Sequence, residues 1–137
     1  MKALAIKYTD KQGRQTSRSI IPIAIYDRRG SGFVQVFAYC TTKSDCRTFH
    51  AARMKSLGAV SADVDYQAVA HAVKRDMPNL SRGRYHAVKR AIERDGIDRS
   101  VVPRDRPDLE ELDAIDLLDW LCRNWAALER ERQSHYL

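Results

Sequence analysis

From Ser17 to Arg53 the chain alternates short apolar runs with polar turns. IIPIAIY spans residues 20–26, FVQVFAYC residues 33–40 and CRTFH residues 46–50. β-Branched and aromatic residues crowd each run, which suits strands. One turn carries Gly30 and Gly32; the next carries Thr42, Lys43, Ser44 and Asp45. Upstream, KALAIKY (2–8) alternates, with Ala3, Ala5 and Lys7 on one face and Leu4, Ile6 and Tyr8 on the other. Thr9–Gly13 reads as a hairpin loop and Arg14–Ile21 as its return strand. Pro22 lacks a ladder donor, so it marks a strand edge or a bend before Ile23–Tyr26 resumes. Ala51–Met54 reads as a helical turn or a strand extension. Lys55–Asp63 reads as a connection with room for an edge strand. Five short strands within about 60 residues predict a small, strongly bent β-barrel.

Near residue 64 the period changes from two to 3.6. Tyr66, Val69, Ala70, Val73 and Met77 define one helix face, with Asp65 as N-cap and Pro78 as stop. Ser81 opens a second helix to Asp95, with Tyr85, Val88 and Ile92 inward and Gly96 as terminator. Val101–Pro107 is a proline-bearing linker. Asp108 then caps a long helix to about Arg132, with Leu112, Ile115, Leu118, Cys122, Trp125 and Leu128 as its stripe. Glu110, Glu111 and Asp113 near its start and Arg130 and Arg132 near its end suit the helix dipole. Trp120 and Trp125 lie about 140° apart on such a helix, so it needs two contact surfaces. The expected class is α+β: a barrel over residues 1–60, then a three-helix segment over 61–137. That segment forms its own layer, packing on the barrel or making a dimer contact.

Charge sharpens this division. Residues 1–60 hold 11 Lys/Arg against 3 Asp/Glu, whereas residues 101–137 hold 5 against 9. A basic β half and an acidic tail predict either internal complementarity or an anionic ligand on the β half. Three cysteines leave one unpaired in any scheme, which fits a reducing compartment. The sequence has neither an apolar run of membrane-spanning length nor a signal-peptide pattern, so the expectation is a cytoplasmic protein with no membrane partner.

Arg18, Arg47 and Arg53 recur through the β stretch and are the leading anion contacts, because a guanidinium engages phosphate oxygens in pairs. Phe33 or Tyr39 offers a face for a base. The competing reading pairs these arginines with Asp27 and Asp45. Cys40, Cys46 and His50 have zinc-type donors, but their spacing fits no common knuckle and they read as buried thiols. His71, His86 and His135 are scattered. The carboxylates between Asp108 and Asp119 read as a solvated helix face. No phosphate loop, dinucleotide fingerprint or nucleophile motif occurs, so the expectation is a non-enzymatic protein needing no metal or cofactor. The helices at 66–77 and 81–95 also permit a helix-turn-helix. Its second helix carries Arg82, Arg84, Lys89, Arg90 and Arg94, which suits a DNA-binding repressor. A third reading makes the acidic C-terminal helix a protein-interaction surface.

The order of features in the β half resembles the WYL domain of bacterial regulators and phage-defence proteins. Tyr8, Gly13, Arg18-Ser19-Ile20-Ile21-Pro22, Gly30/Gly32, Ala38-Tyr39-Cys40, Arg47-Thr48-Phe49 and Arg53 carry the resemblance over roughly residues 3–60. It implies an Sm-like barrel binding nucleic acid or a nucleotide-like regulator through a basic groove, with single strands favoured over duplex, and a homodimer. The implied contacts are Arg18, Phe33, Gln35, Tyr39, Arg47 and Arg53. Where the family has its naming tripeptide this chain has Val34-Gln35-Val36, so weak base preference is expected.

Overall fold

In the computed structural model, residues 1–27 and 33–135 are described, with the side chains of the last helix described to Trp125 and at Leu128. The glycine turn at Gly30 and Gly32, and the side chains of Arg130 and Arg132, lie outside the described residues. Five strands form one antiparallel sheet: β1 (Lys2–Thr9), β2 (Gln15–Asp27), β3 (Val34–Cys40), β4 (Asp45–His50) and β5 (Met54–Ser61). Their order is β4-β3-β2-β1-β5. Three helices follow: α1 (Tyr66–Asp76), α2 (Arg82–Ile92) and α3 (Ala114–His135).

The α+β class holds, but the closed barrel does not. β4 and β5 are the two ends of the sheet and share no ladder. A three-residue turn, Ala51–Arg53, joins them, so the two edges meet only at that corner. Strand count also redistributes. Residues on both sides of Pro22 belong to one long strand, and the fifth strand is β5. Pro22 sits where the β2–β3 register slips: Pro22 opposes Ala38, Ala24 opposes Phe37, and Ile23 is left over. Such a bulge absorbs a missing N–H and bends the strand. The first half of β2 therefore pairs with β1 and the second half with β3.

Alternation along the bent strands sends side chains to two faces. Leu4, Ile6, Ile20, Ile25, Val36 and Phe49 pack against Leu117, Leu118 and Leu121 of α3. On the opposite face, Tyr26 and Phe37 meet Ala87, Val88 and Ala91 of α2, while Tyr39 and Ile21 meet Val69 and Ala72 of α1. The helices thus flank the sheet on both sides instead of forming one layer.

Local capping explains most helix limits. The Asp65 carboxylate accepts from Ala68 N–H at 2.7 Å, as the N-cap reading requires. α2 stops at Ile92, short of the expected Asp95, and Gly96, at φ +83°, closes the turn that follows by donating its N–H to Ala91 C=O at 2.8 Å. A Cβ there would stand 2.7 Å from Ile23 O. Ile25 N–H donates to Gly96 C=O and Asp98 N–H to Ile25 C=O, so this segment covers the edge of β2 where β2 outruns β1.

Other expectations need correction. α3 begins at Ala114, not after Asp108. Pro107–Glu111 forms a 3₁₀ turn, and Asp113 is the residue whose carboxylate accepts from Asp116 N–H at 2.8 Å. Asp108 pairs with Arg106 instead. α1 exposes Tyr66, and α2 turns Ile92 outward while burying Ala87 and Ala91 beside Val88. The acidic start of α3 is used internally: Lys2 Nζ reaches Asp113 at 3.1 Å and Asp116 at 2.8 Å, and the Ser56 hydroxyl donates to Asp119.

Candidate functional site

The opening between β1 and β4 is bridged by side chains instead of a ladder. Tyr8 ends the apolar face of β1, and its ring meets Phe49 edge-on at 5.0 Å. The His50 N–H donates to the Tyr8 hydroxyl at 3.1 Å. Arg18, two residues before the buried Ile20, lies over the Phe49 ring at 5.7 Å, within cation–π range. Its guanidinium donates to the Thr16 hydroxyl at 3.2 Å and to Cys40 Sγ at 3.6 Å. No carboxylate neutralises it among the described residues.

A second group of cations stands across His50. Arg84 comes from α2 and donates to Gln35 Oε1 at 3.3 Å. Gln35 opposes His50 in the β3–β4 register, so α2 brings its charge to the end of β4. Arg53 closes the β4–β5 turn, and Lys11 lies at the tip of the β1–β2 hairpin. Burial first, and then the positive charges of Arg53, Arg84 and Lys11, hold the His50 imidazole below the usual histidine range. Arg53, Arg84 and Lys11 also lack carboxylate partners among the described residues. Phe49 and His50 are consecutive in β4, so their side chains leave it on opposite faces. Arg18 covers Phe49 on the α3 side, Arg84 stands with His50 on the α2 side, and the two groups flank the end of β4, the seam, from its two faces.

The six residues singled out from sequence do not converge. Arg18 and Arg53 reach the seam. Arg47 binds Asp45 through two donors, at 3.0 and 3.3 Å, which is the ion pair the competing reading anticipated. Phe33 is exposed, just before β3. Gln35 and Tyr39 are buried. The Gln35 Oε1 is occupied by the Tyr26 hydroxyl at 3.0 Å and by Arg84, and the Tyr39 ring packs under α1. Of the second-helix cations expected from sequence, Arg82, Lys89 and Arg90 on α2 and Arg94 in the turn after it are exposed, whereas Arg84 turns toward the seam. Sequence reasoning missed Lys11, Tyr8, His50 and Phe49 as neighbours of the arginines. Only the alternation of Tyr8 with Leu4 and Ile6 hinted at an inward ring.

No group of three His, Cys, Asp or Glu side chains converges among the described residues. Cys46 and Cys122 are both pushed up to about 12, mainly by burial and then by Asp76 and Asp119 respectively, so neither supplies a ready thiolate. Among the described residues no helix is long and apolar enough to cross a membrane.

These features define a bent, open five-stranded sheet, flanked by helices and bearing unneutralised cations along one seam. Residues 1–58 match the family model of the WYL domain. The match covers nearly the span over which the ordered motifs indicated that family. No curated protein and no solved structure matches the chain.

Proposed function

We propose that residues 1–58 act as a regulatory ligand-binding module whose seam takes an anion, either single-stranded nucleic acid or a nucleotide-like regulator. The WYL match supports the regulatory, ligand-binding part of this reading. The anionic part rests on one observation: Arg18 over Phe49, and Arg53, Arg84 and Lys11 near His50, flank the end of β4 without carboxylates to neutralise them among the described residues. Like charges held together raise the local potential, and a phosphate relieves that repulsion while releasing counterions. The Phe49 face is already covered by Arg18, so base stacking there requires Arg18 to swing toward a phosphate. No catalytic step is assigned, and the module works by binding.

The test is fluorescence anisotropy with a labelled single-stranded oligonucleotide and the matching duplex across a salt series. Arg53→Ala and Arg18→Ala are expected to weaken single-strand binding and to flatten the log–log salt slope by about 0.7 for each phosphate that is no longer neutralised. Unchanged affinity and slope in both variants, with normal melting, would place the ligand elsewhere. A second reading is favoured by the exposed face of α2 and the turn after it, where Arg82, Lys89 and Arg90, and then Arg94, have no carboxylate partners among the described residues. Tight duplex binding abolished in Arg90→Ala but retained in Arg53→Ala would select a DNA-reading helix instead.

A further inference from the structure

β4 carries a second opening, on its outer edge. In an antiparallel ladder, alternate residues turn their N–H and C=O groups toward the partner strand and away from it. Cys46 N–H donates away from β3, to the Asp76 carboxylate at 2.9 Å. His50 N–H does the same, to the Tyr8 hydroxyl. Thr48 lies midway between them, so its N–H and C=O also face outward. The edge is thus capped at both ends by side chains and open at one residue.

A cavity of about 220 Å³ faces that residue. Leu80 and Cys46 give it apolar lining; Phe37, which opposes Thr48 in the register, borders it but is buried under α2. Two carboxylates stand at the rim, but each is matched by a guanidinium: Asp45 by Arg47 and Asp76 by Arg75. The charges therefore cancel locally. The Asn79 side-chain amide and the Thr48 hydroxyl also line the cavity and hold no hydrogen bond to protein among the described residues. A backbone donor and acceptor sit side by side in a cavity that Leu80 and the Asn79 amide also line.

We propose that this slot binds a neutral planar heterocycle presenting adjacent N–H and C=O groups, the edge pattern of a nucleobase. The ring N–H would donate to Thr48 C=O, the ring carbonyl would accept from Thr48 N–H, and the ring would rest against Leu80. The Asp76 and Tyr8 caps leave no room for a strand to add along β4, which argues against an extended peptide. The paired rim carboxylates argue against an anion. The volume is below the roughly 300–1,000 Å³ of clefts for drug-sized ligands, so one ring system fits. This site is separate from the seam and does not depend on the seam's ligand.

The test uses uridine, which carries no phosphate, titrated into ¹⁵N-labelled protein. Saturable displacement of the Thr48 backbone amide and the Asn79 side-chain amide is expected, with a dissociation constant of about 1 mM or tighter. 3-Methyluridine lacks the ring N–H and is expected to bind at least about tenfold more weakly, because Thr48 C=O loses its donor. Asn79→Trp, at an exposed position, is expected to fill the mouth and abolish the displacement without changing the melting temperature. Equal binding of 3-methyluridine would overturn the proposal. So would shifts centred on His50 and Arg53, or no saturable shift up to about 10 mM uridine.

Discussion

At the scale of single residues, what decides an arginine's role is the company it keeps. Arg18, Arg47 and Arg53 look alike in sequence, yet Asp45 occupies Arg47 while the other two face the seam with no carboxylate partner among the described residues. Spacing could propose the Asp45 pairing but not choose it, because that depends on side-chain reach along one strand face. Arg47→Ala is therefore expected to change ligand affinity less than Arg53→Ala. Arg53→Lys is expected to retain part of the affinity, since an ammonium keeps the charge but not the paired donors. Affinity measured for the three variants in one buffer checks this. His50 supplies a pH signature. Its imidazole is held neutral by burial and by nearby cations, so its folded pKa lies below the ordinary value. A bound anion favours the imidazolium and raises that pKa. Anion binding should then tighten as pH falls from about 7 toward 5.5, with uptake of a proton, and His50→Gln should remove the dependence. Isothermal titration in buffers of different ionisation enthalpy reads the proton directly. The thiols give a third expectation. With Cys46 and Cys122 pushed up to about 12, both should react slowly with a thiol reagent at about pH 8 in the folded protein and rapidly after unfolding.

At the scale of elements, hydrophobic period was legible and element edges were less so. The Asp65 cap, the turn at Gly96 and the alternation of β1 follow from local chemistry, so sequence exposed them, although α2 itself ends at Ile92 and not at Asp95. β5 was only weakly visible because its pattern is diluted. Met54 and Ser56 are buried, but Leu57 and Val60 are exposed on an edge strand interrupted by Gly58. The start of α3 was misread because Asp108 and Asp113 are both capping residues ahead of apolar positions. Pro107 opens a 3₁₀ turn there, and only packing shows that the helix proper waits for Asp113. The turn at Gly96 carries a clear stability test. Gly96→Ala would force a Cβ against Ile23 O and an alanine into positive φ, so it should destabilise by more than about 1 kcal/mol in denaturant unfolding. Leu118, fully buried where α3 meets the sheet, should cost about 2–5 kcal/mol when truncated to Ala.

At the scale of the whole molecule, the α+β class and the two electrostatic halves were readable, whereas the open sheet was not. Whether β4 and β5 pair is settled by strand bend and tertiary packing, which no local pattern encodes. The acidic start of α3 turns out to serve the sheet, through Lys2 and Ser56. Trp120 finds its second contact within the chain, under the Arg106 guanidinium at 5.2 Å, so two tryptophans on different helix faces do not by themselves demand a second subunit. What remains on the outside is a seam of cations at the corner where the sheet fails to close. Its role as an anion site is tested most directly by the salt dependence of single-strand binding, measured for the unmodified chain and for Arg53→Ala. An anion-binding seam predicts binding that falls steeply with salt, stronger for single strand than for duplex, with a slope shallower by about 0.7 in the variant. Binding with no salt dependence, or an identical slope in Arg53→Ala at unchanged melting temperature, would contradict it.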